Sequence, residues 1–205
     1  ARNILRLIFR TSLNQNKPYG SLCTKEHYDV AKVIGDESIV LLRNNGILPL
    51  QADKYNRILV VGDNAVRRLT DGGGSSELKP KDMISPLDAL RALYGDKIEY
   101  TQGYACGRPF FGHEEEMQQT VIDSLRAEAV AKARQADVVI YVGGLNKNAF
   151  QDCESTDRKS YNLPFSQNEL IEELVAVNPN LVIANISGNA YAMPWLKKVP
   201  AILHI

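Results

Sequence analysis

Residues 137–145 read Asp-Val-Val-Ile-Tyr-Val-Gly-Gly-Leu, an almost continuous apolar run that is rich in β-branched residues. Such a run is typical of a strand in a parallel sheet that is buried on both faces, because a half-exposed strand alternates apolar and polar residues. Further extended runs lie before and after it, at residues 57–62, 97–101, 180–186 and 201–205. The sequence therefore predicts a parallel sheet that is covered on both faces.

Segments with helical periodicity separate these runs and supply the cover. Residues 85–93 begin with Ser85-Pro86, a serine N-cap followed by proline at the first helical position. Residues 114–133 and 167–177 carry apolar side chains at helical spacing. Strands that alternate with helices, joined by right-handed crossovers, form a doubly wound α/β domain. We predict a three-layer α/β sandwich with a mostly parallel, flavodoxin-like sheet of about five or six strands.

The residues before this body have a different character. A short helix is predicted within residues 1–17, a turn-rich break follows it, and a second helix begins at Thr24 as N-cap. We expect this part to be a connector that wraps onto the main body, which begins at residue 57. No covering helix follows the last strand, so we expect the natural sequence to continue past Ile205.

Composition limits the classes of function. The 205 residues contain 24 basic and 24 acidic side chains, and 44% are hydrophobic. A net charge of zero gives no electrostatic reason to expect nucleic acid or an anionic membrane as partner. No apolar run approaches the roughly 18 residues that span a bilayer, and the first residues lack the apolar core of a signal peptide.

The three cysteines, Cys23, Cys106 and Cys153, stand at no zinc-ligand spacing. Two interpretations remain open at this point. Either all three are ordinary thiols, or Cys106 and Cys153 form a disulfide. The second is open because both cysteines follow candidate strands, whose loops could meet at one edge of the sheet.

Ligands of doubly wound sheets bind at the loops that follow the carboxyl ends of the strands. Of these loops, 62–76 contains the run Asp71-Gly-Gly-Gly-Ser-Ser76, which fits neither a Walker loop nor a dinucleotide fingerprint. The loop 103–113 includes His113, one of three scattered histidines. The loop 146–164 is long and highly charged. From the residues alone it is either a solvated surface or a platform for acid–base chemistry.

An ordered series of short motifs resembles one family. The series includes Glu37-Ser-Ile-Val-Leu-Leu-Arg-Asn44, Leu48-Pro-Leu50, Ile58–Asn64, Gly72–Ser76, Ser85-Pro-Leu87, Asp137–Leu145, Glu154…Asp157-Arg158…Leu163-Pro164, Asn178-Pro179 and Met193-Pro-Trp195. It resembles the second, C-terminal domain of family 3 glycoside hydrolases, in the branch of bacterial β-glucosidases and β-xylosidases. Residues 1–20 would then be the tail of a preceding barrel domain with a linker, 21–56 a connecting helix, and 57–205 the α/β sandwich.

The resemblance also implies residue roles. Glu154, three residues before Asp157-Arg158, matches the general acid/base, with Asp152 or a residue outside this chain as the alternatives. Ser155-Thr156 stand where glycine is more usual. Asp157 and Arg158 would form an ion pair that fixes the loop. Gly74 and Ser75 would lie on the leaving-group side of the sugar, unless this loop only packs, and Trp195 would be a packing residue.

The resemblance implies retaining hydrolysis of β-linked glucosides or related sugars, without metal or cofactor. The nucleophilic aspartate and most sugar contacts would lie in the barrel domain, which this chain lacks. The resemblance further implies a periplasmic or secreted protein. The sugar and the oligomeric state stay open. Two rival functions are a non-catalytic docking domain and a nucleotide-binding regulator.

Overall fold

The computed structural model describes residues 1–16, 19–69, 74–76, 78–106 and 117–205. Gly72, Gly73, His113 and the first residues of the predicted helix 114–133 lie outside this part. The chain divides into two compact units, residues 1–37 and 38–205. The first unit contains helix α1 (Arg2–Arg10) and nearly all of helix α2 (Lys25–Ser38). As predicted, Thr24 caps α2 and accepts a hydrogen bond from the His27 amide.

The second unit is a sheet covered by helices. Its strands are β1 (Val40–Asn44), β2 (Ile58–Val61), β3 (Ile98–Thr101), β4 (Val138–Gly144), β5 (Leu181–Ile186) and β6 (Ala201–His204). Its helices are α3 (Pro86–Tyr94), α4 (Gln119–Ala133) and α5 (Gln167–Val177). Short 3-10 turns cover Asp63–Val66, Gly74–Ser76 and Gly95–Lys97.

The strand order is β1-β6-β5-β4-β2-β3. The strands β2 to β6 are all parallel, and their order is that of a flavodoxin-like sheet. Helices α4 and α5 cover one face and α3 covers the other. The predicted three-layer, mostly parallel sandwich is confirmed.

Strand β1 was not predicted. It lies within the segment 21–56 that was interpreted as a connector, and it pairs antiparallel with β6, from Val40 opposite His204 to Asn44 opposite Ala201. The sheet therefore begins at residue 40 rather than 57. β1 is an edge strand whose apolar side chains are about half exposed, so its local pattern does not distinguish it from a connector.

The core surrounds β4. All seven residues of this strand are buried, and its side chains alternate between the two helix-covered faces. Trp195 is fully buried and donates a hydrogen bond to Asn168 Oδ1 at 2.9 Å. Its predicted packing role is confirmed. The predicted cap of α3 is confirmed too, because the Asp88 amide donates to Ser85 Oγ at 3.1 Å.

The chain at the end of β2 lies so close to β4 that position 62 has no room for a side chain. Gly62 follows β2 with φ +132°, and a Cβ there would lie 1.9 Å from the Val142 carbonyl oxygen. We expect Gly62→Ala to lower the free energy of unfolding by at least about 3 kcal/mol, as measured by urea denaturation. Gly188→Ala is the matched control, since its Cβ would meet nothing closer than 3.6 Å and should change stability by less than about 0.5 kcal/mol. Equal losses for the two variants would contradict this packing.

A carboxylate that binds the backbone before β2 makes the stability of the fold sensitive to acid. The Asp137 carboxylate accepts hydrogen bonds from the Arg57 and Asn56 amides, and these bonds hold its pKa below the ordinary 3.8. A lowered pKa in the folded state supplies stability that is complete above 3.8 and is lost as the pH falls through the folded value. Asp137→Ala should therefore be less stable than the wild type at neutral pH.

This difference should close in strong acid, below pH 3.8, when unfolding free energies are followed from neutral to acidic pH. Asp53→Ala, at an exposed turn, serves as control and should stay within about 0.5 kcal/mol of the wild type at neutral pH. A difference between Asp137→Ala and wild type that does not change with pH would contradict the assignment.

Candidate active site

The candidate site lies at the carboxyl ends of β2 and β4. These neighbouring strands mark the point in the sheet where the strand order reverses, since β3 lies on the outer side of β2 and β5 on the outer side of β4. Ligand sites of such sheets lie in the crevice at this switch point. The loop after β2 and the loop 145–166 after β4 both begin there. The two loops that the sequence singled out as long or glycine-rich thus start side by side.

The long loop is closed at its base by Gln167. This side chain is fully buried, and its amide forms two hydrogen bonds of 2.8 Å with the backbone N–H and C=O of Gly144. The Tyr141 hydroxyl donates to the same amide oxygen at 2.6 Å. The first residue of α5 is thus tied to the last residue of β4. The twenty-odd intervening residues form a loop whose two ends are fixed at one place.

A buried carboxylate organises the neighbouring loop. Asp63 is 1% exposed, and Arg67 donates two hydrogen bonds to it, at 2.7 and 3.1 Å. The Gln102 amide donates at 2.7 Å and the Cys106 thiol at 2.8 Å. A bidentate guanidinium and two further donors compensate the buried charge. Asp63 therefore joins the loop after β2 to the loop after β3.

Two asparagines connect these loops to the base of the long loop. The Asn64 amide donates to the Leu145 carbonyl at 3.1 Å, and the Asn148 amide donates to the Cys106 carbonyl at 3.1 Å. Both asparagines are buried, so their contacts are shielded from competing water. The roots of all three loops are thereby held in one network.

The cysteines are free thiols. Cys106 donates to Asp63, and Cys153 lies 3.0 Å from Thr156 Oγ1, so the alternative Cys106–Cys153 disulfide is not formed. Burial, and then the neighbouring Asp63 carboxylate, raise the pKa of the Cys106 thiol to about 12. This thiol stays protonated at neutral pH and is a hydrogen-bond donor rather than a nucleophile.

Glu154 meets Ser75 across the crevice. The Ser75 amide donates to Glu154 Oε2 at 2.8 Å, and the Ser75 hydroxyl donates to Oε1. The two residues are 79 positions apart in the sequence, one on the loop after β2 and one on the loop after β4. The structure therefore brings together two residues that the sequence assigned to one site. The assigned roles of Glu154, Ser75 and Gly74 remain predictions.

The surroundings of Glu154 favour its charged form. The hydrogen bonds from the Ser75 hydroxyl and then the Ser75 amide hold the pKa of Glu154 below its ordinary 4.5. The side chain is exposed, so burial does little to oppose this effect. In this state Glu154 is a carboxylate at neutral pH, ready to accept a proton.

The rival carboxylate, Asp152, is engaged elsewhere. It accepts hydrogen bonds from the Gly188 amide at 2.7 Å and from the Asn189 side chain. Its own amide donates to the Asn146 carbonyl at 2.8 Å. Asp152 therefore connects the long loop to the turn after β5, which favours a structural role over acid–base chemistry.

The expected ion pair between Asp157 and Arg158 is not formed among the described residues. The Arg158 guanidinium instead donates to the carbonyls of Ala190 and Asn162, the latter at 3.1 Å. A planar guanidinium carries several N–H donors, so it can bind two carbonyl oxygens at once. Arg158 still ties the loop to its surroundings, but through backbone acceptors.

Ser155 follows Glu154 and stands where the family pattern usually has glycine. Its backbone conformation is one that glycine adopts more easily than serine. Ser155 has φ +71°, in the left-handed region that favours glycine. A serine there carries strain of the order of 1 kcal/mol that glycine would not.

Sequence reasoning missed Asp63 and Gln167. Asp63 directly follows a strand that ends in glycine. Because ligands of doubly wound sheets bind at the carboxyl ends of the strands, this position could have been recognised as important. Gln167 was predicted only as the start of a helix, because a polar residue in the first turn of a helix is ordinarily exposed.

The described residues show no metal cluster and no helix that is long and apolar enough to cross a membrane. A cavity of about 220 Å³ lies beneath the long loop, lined by Phe150, Arg158 and Leu163 among others, but Glu154 does not line it. Its volume is below the roughly 300 Å³ at which ligand pockets begin. This cavity is not the site at which Glu154 would act.

Comparisons with known proteins agree with the geometry. The family model described as glycosyl hydrolase family 3 C-terminal domain matches residues 39–205. The beta-glucosidase BoGH3A of Bacteroides ovatus is 55% identical over 209 residues, which cover 99% of this chain and 28% of that protein. An exo-alpha-(1->6)-L-arabinopyranosidase of Bifidobacterium breve is 33% identical over 86% of this chain and 23% of that protein.

A crystal structure of a GH3 beta-glucosidase from Bifidobacterium adolescentis superimposes with a TM-score of 0.78 at 31% identity, over 98% of this chain and 27% of that one. The chain thus spans less than a third of the length of these relatives. The family match, the identity along the whole chain and the shared fold lead to one conclusion: this chain belongs to the C-terminal domain family of glycoside hydrolase family 3.

Proposed function

We propose that this chain is part of a retaining glycoside hydrolase that acts on β-linked glucosides or related sugars, and that Glu154 is its general acid/base. The observation that carries this proposal is the position of Glu154. It is an exposed carboxylate on a long loop at the switch point of the sheet, where a second domain and its sugar can reach it.

The nucleophile in this proposal is an aspartate of a preceding barrel domain. In the first step its carboxylate attacks the anomeric carbon, while Glu154 gives its proton to the leaving oxygen as the glycosidic bond breaks. In the second step the Glu154 carboxylate takes a proton from water, whose oxygen attacks the anomeric carbon and releases the aspartate. Retention requires the two carboxyls to stand about 5–5.5 Å apart, which a loop that extends from this domain can satisfy.

The preference for glucosides rests on the relatives. The 55% identical relative is named a beta-glucosidase, whereas another is named an arabinopyranosidase and a third a beta-xylosidase. Relatives of one fold thus differ in the sugar in their names. We infer that the acid/base domain is shared while contacts from the barrel domain select the sugar.

Replacing Glu154 tests the acid/base role directly. We expect Glu154→Gln in the full-length protein to lower kcat/KM for substrates with poor leaving groups by about 10²- to 10⁴-fold, because those leaving groups need a proton. Aryl glucosides with good leaving groups should be affected less in the first step, and azide should restore turnover. Kinetics on a series of leaving groups measure both effects.

Glu169→Gln is the matched control. Glu169 is an exposed glutamate on α5 and undergoes the same chemical change. It should keep kcat/KM within about twofold of the wild type, since it lies outside the loop. Near-normal activity of Glu154→Gln on every leaving group would refute the acid/base role.

The division of the site between domains gives a second test. The 205-residue chain alone should release no phenol from an aryl glucoside, because in this proposal the nucleophile that attacks the anomeric carbon lies in the barrel domain. Turnover by the purified chain that Glu154→Gln abolishes would show that the nucleophile lies within it and would contradict this division.

A further inference from the structure

Two donors of Ser75 converge on the two oxygens of Glu154. The amide reaches Oε2 at 2.8 Å and the hydroxyl reaches Oε1. Such a bidentate contact defines the plane of the carboxylate as well as its position. An exposed glutamate otherwise samples many rotamers, because fixing it in one costs side-chain entropy. Ser75 therefore restricts a side chain that solvent would leave mobile.

We propose that Ser75 is a positioning residue, which orients the Glu154 carboxylate toward the sugar and holds it ready to act as the base of the second step. This inference rests on the proposed function of Glu154. It assigns the Ser75 hydroxyl to the acid/base itself, whereas the resemblance placed this residue among the sugar contacts.

Among the described residues, Ser75 has the largest influence on the charge state of Glu154. On the same loop, Asp152 is bound to the turn at residues 188 and 189, and Arg158 is bound to backbone carbonyls. In the part of the chain that the structure describes, hydrogen bonds from the Ser75 hydroxyl and then the Ser75 amide lower the pKa of Glu154, and burial opposes them. Hydrogen bonds to the charged form of a carboxyl favour that form.

The serine hydroxyl suits both protonation states. It donates to the carboxylate that activates water, and it can rotate and accept a hydrogen bond when the carboxyl is protonated. The amide can only donate, so it favours the carboxylate alone. Ser75 therefore favours the form of Glu154 that the second step requires while it permits the form that the first step requires.

Ser75→Ala in the full-length protein separates the hydroxyl from the amide, because the backbone donor remains. We expect the alkaline limb of the pH profile of kcat/KM to move to higher pH, since loss of the hydroxyl raises the pKa of the acid. We also expect kcat to fall by about 10- to 100-fold at the optimum, because the carboxylate is less well oriented. Ser75→Thr keeps both donors and should retain the wild-type limb.

A direct titration separates this inference from the proposed function. Carboxyl-carbon NMR of the 205-residue chain should show a higher pKa of Glu154 in Ser75→Ala than in the wild type or in Ser75→Thr. An unchanged pKa of Glu154 would overturn the inference, and so would a raised pKa with an unmoved kinetic limb. If instead Glu154→Gln keeps full activity while Ser75→Ala raises the pKa of Glu154, the contact stands but the proposed function fails, and the catalytic role of Ser75 fails with it.

Discussion

The double hydrogen bond between Gly144 and the Gln167 amide is the constraint on which the candidate site depends. It joins the end of the central strand to the start of the following helix. Most connections between a strand and a helix have about 2–6 residues, and this loop is several times longer. The hydrogen bonds at its base therefore keep its two ends together. With its base closed, the loop is held further along by Asp152 at residues 188 and 189 and by Arg158 at the Ala190 carbonyl, and these contacts lie on either side of Glu154.

The buried network around Asp63 supports the same geometry from the other side of the crevice. Asp63 fixes the loop after β2 to the loop after β3, and Asn64 fixes it to the first residue of the long loop. Ser75 and Glu154 then meet at the outer ends of two loops whose roots are held rigidly. The contact between them is exposed, whereas the supporting contacts around Asp63 and Gln167 are buried.

The present state of Glu154 is that of a base. Ser75 lowers its pKa and water surrounds it, yet a general acid for the first step needs a proton near neutral pH. Exclusion of water by a partner domain, together with a second carboxylate nearby, raises the pKa of a carboxyl. In the proposed mechanism, the pKa of Glu154 would therefore be raised in the assembled enzyme rather than in this domain alone.

The sequence predicted the sheet and its helices because buried parallel strands and capped helices leave local patterns, as in β4 and at Ser85. It did not reveal β1, whose identity depends on pairing with β6 some 160 residues away. Local reasoning likewise paired Arg158 with its neighbour Asp157, whereas the guanidinium binds distant carbonyls. The contact between Ser75 and Glu154 depends on strand order, which no pattern within either loop records. The most direct test of the account is a crystal structure of the full-length protein trapped as its glycosyl-enzyme with a 2-fluoro glycoside. The proposed retaining mechanism predicts that the Glu154 carboxyl stands about 5–5.5 Å from the carboxyl of the aspartate that carries the sugar. Another carboxyl in that position, with Glu154 remote from the sugar, would contradict it.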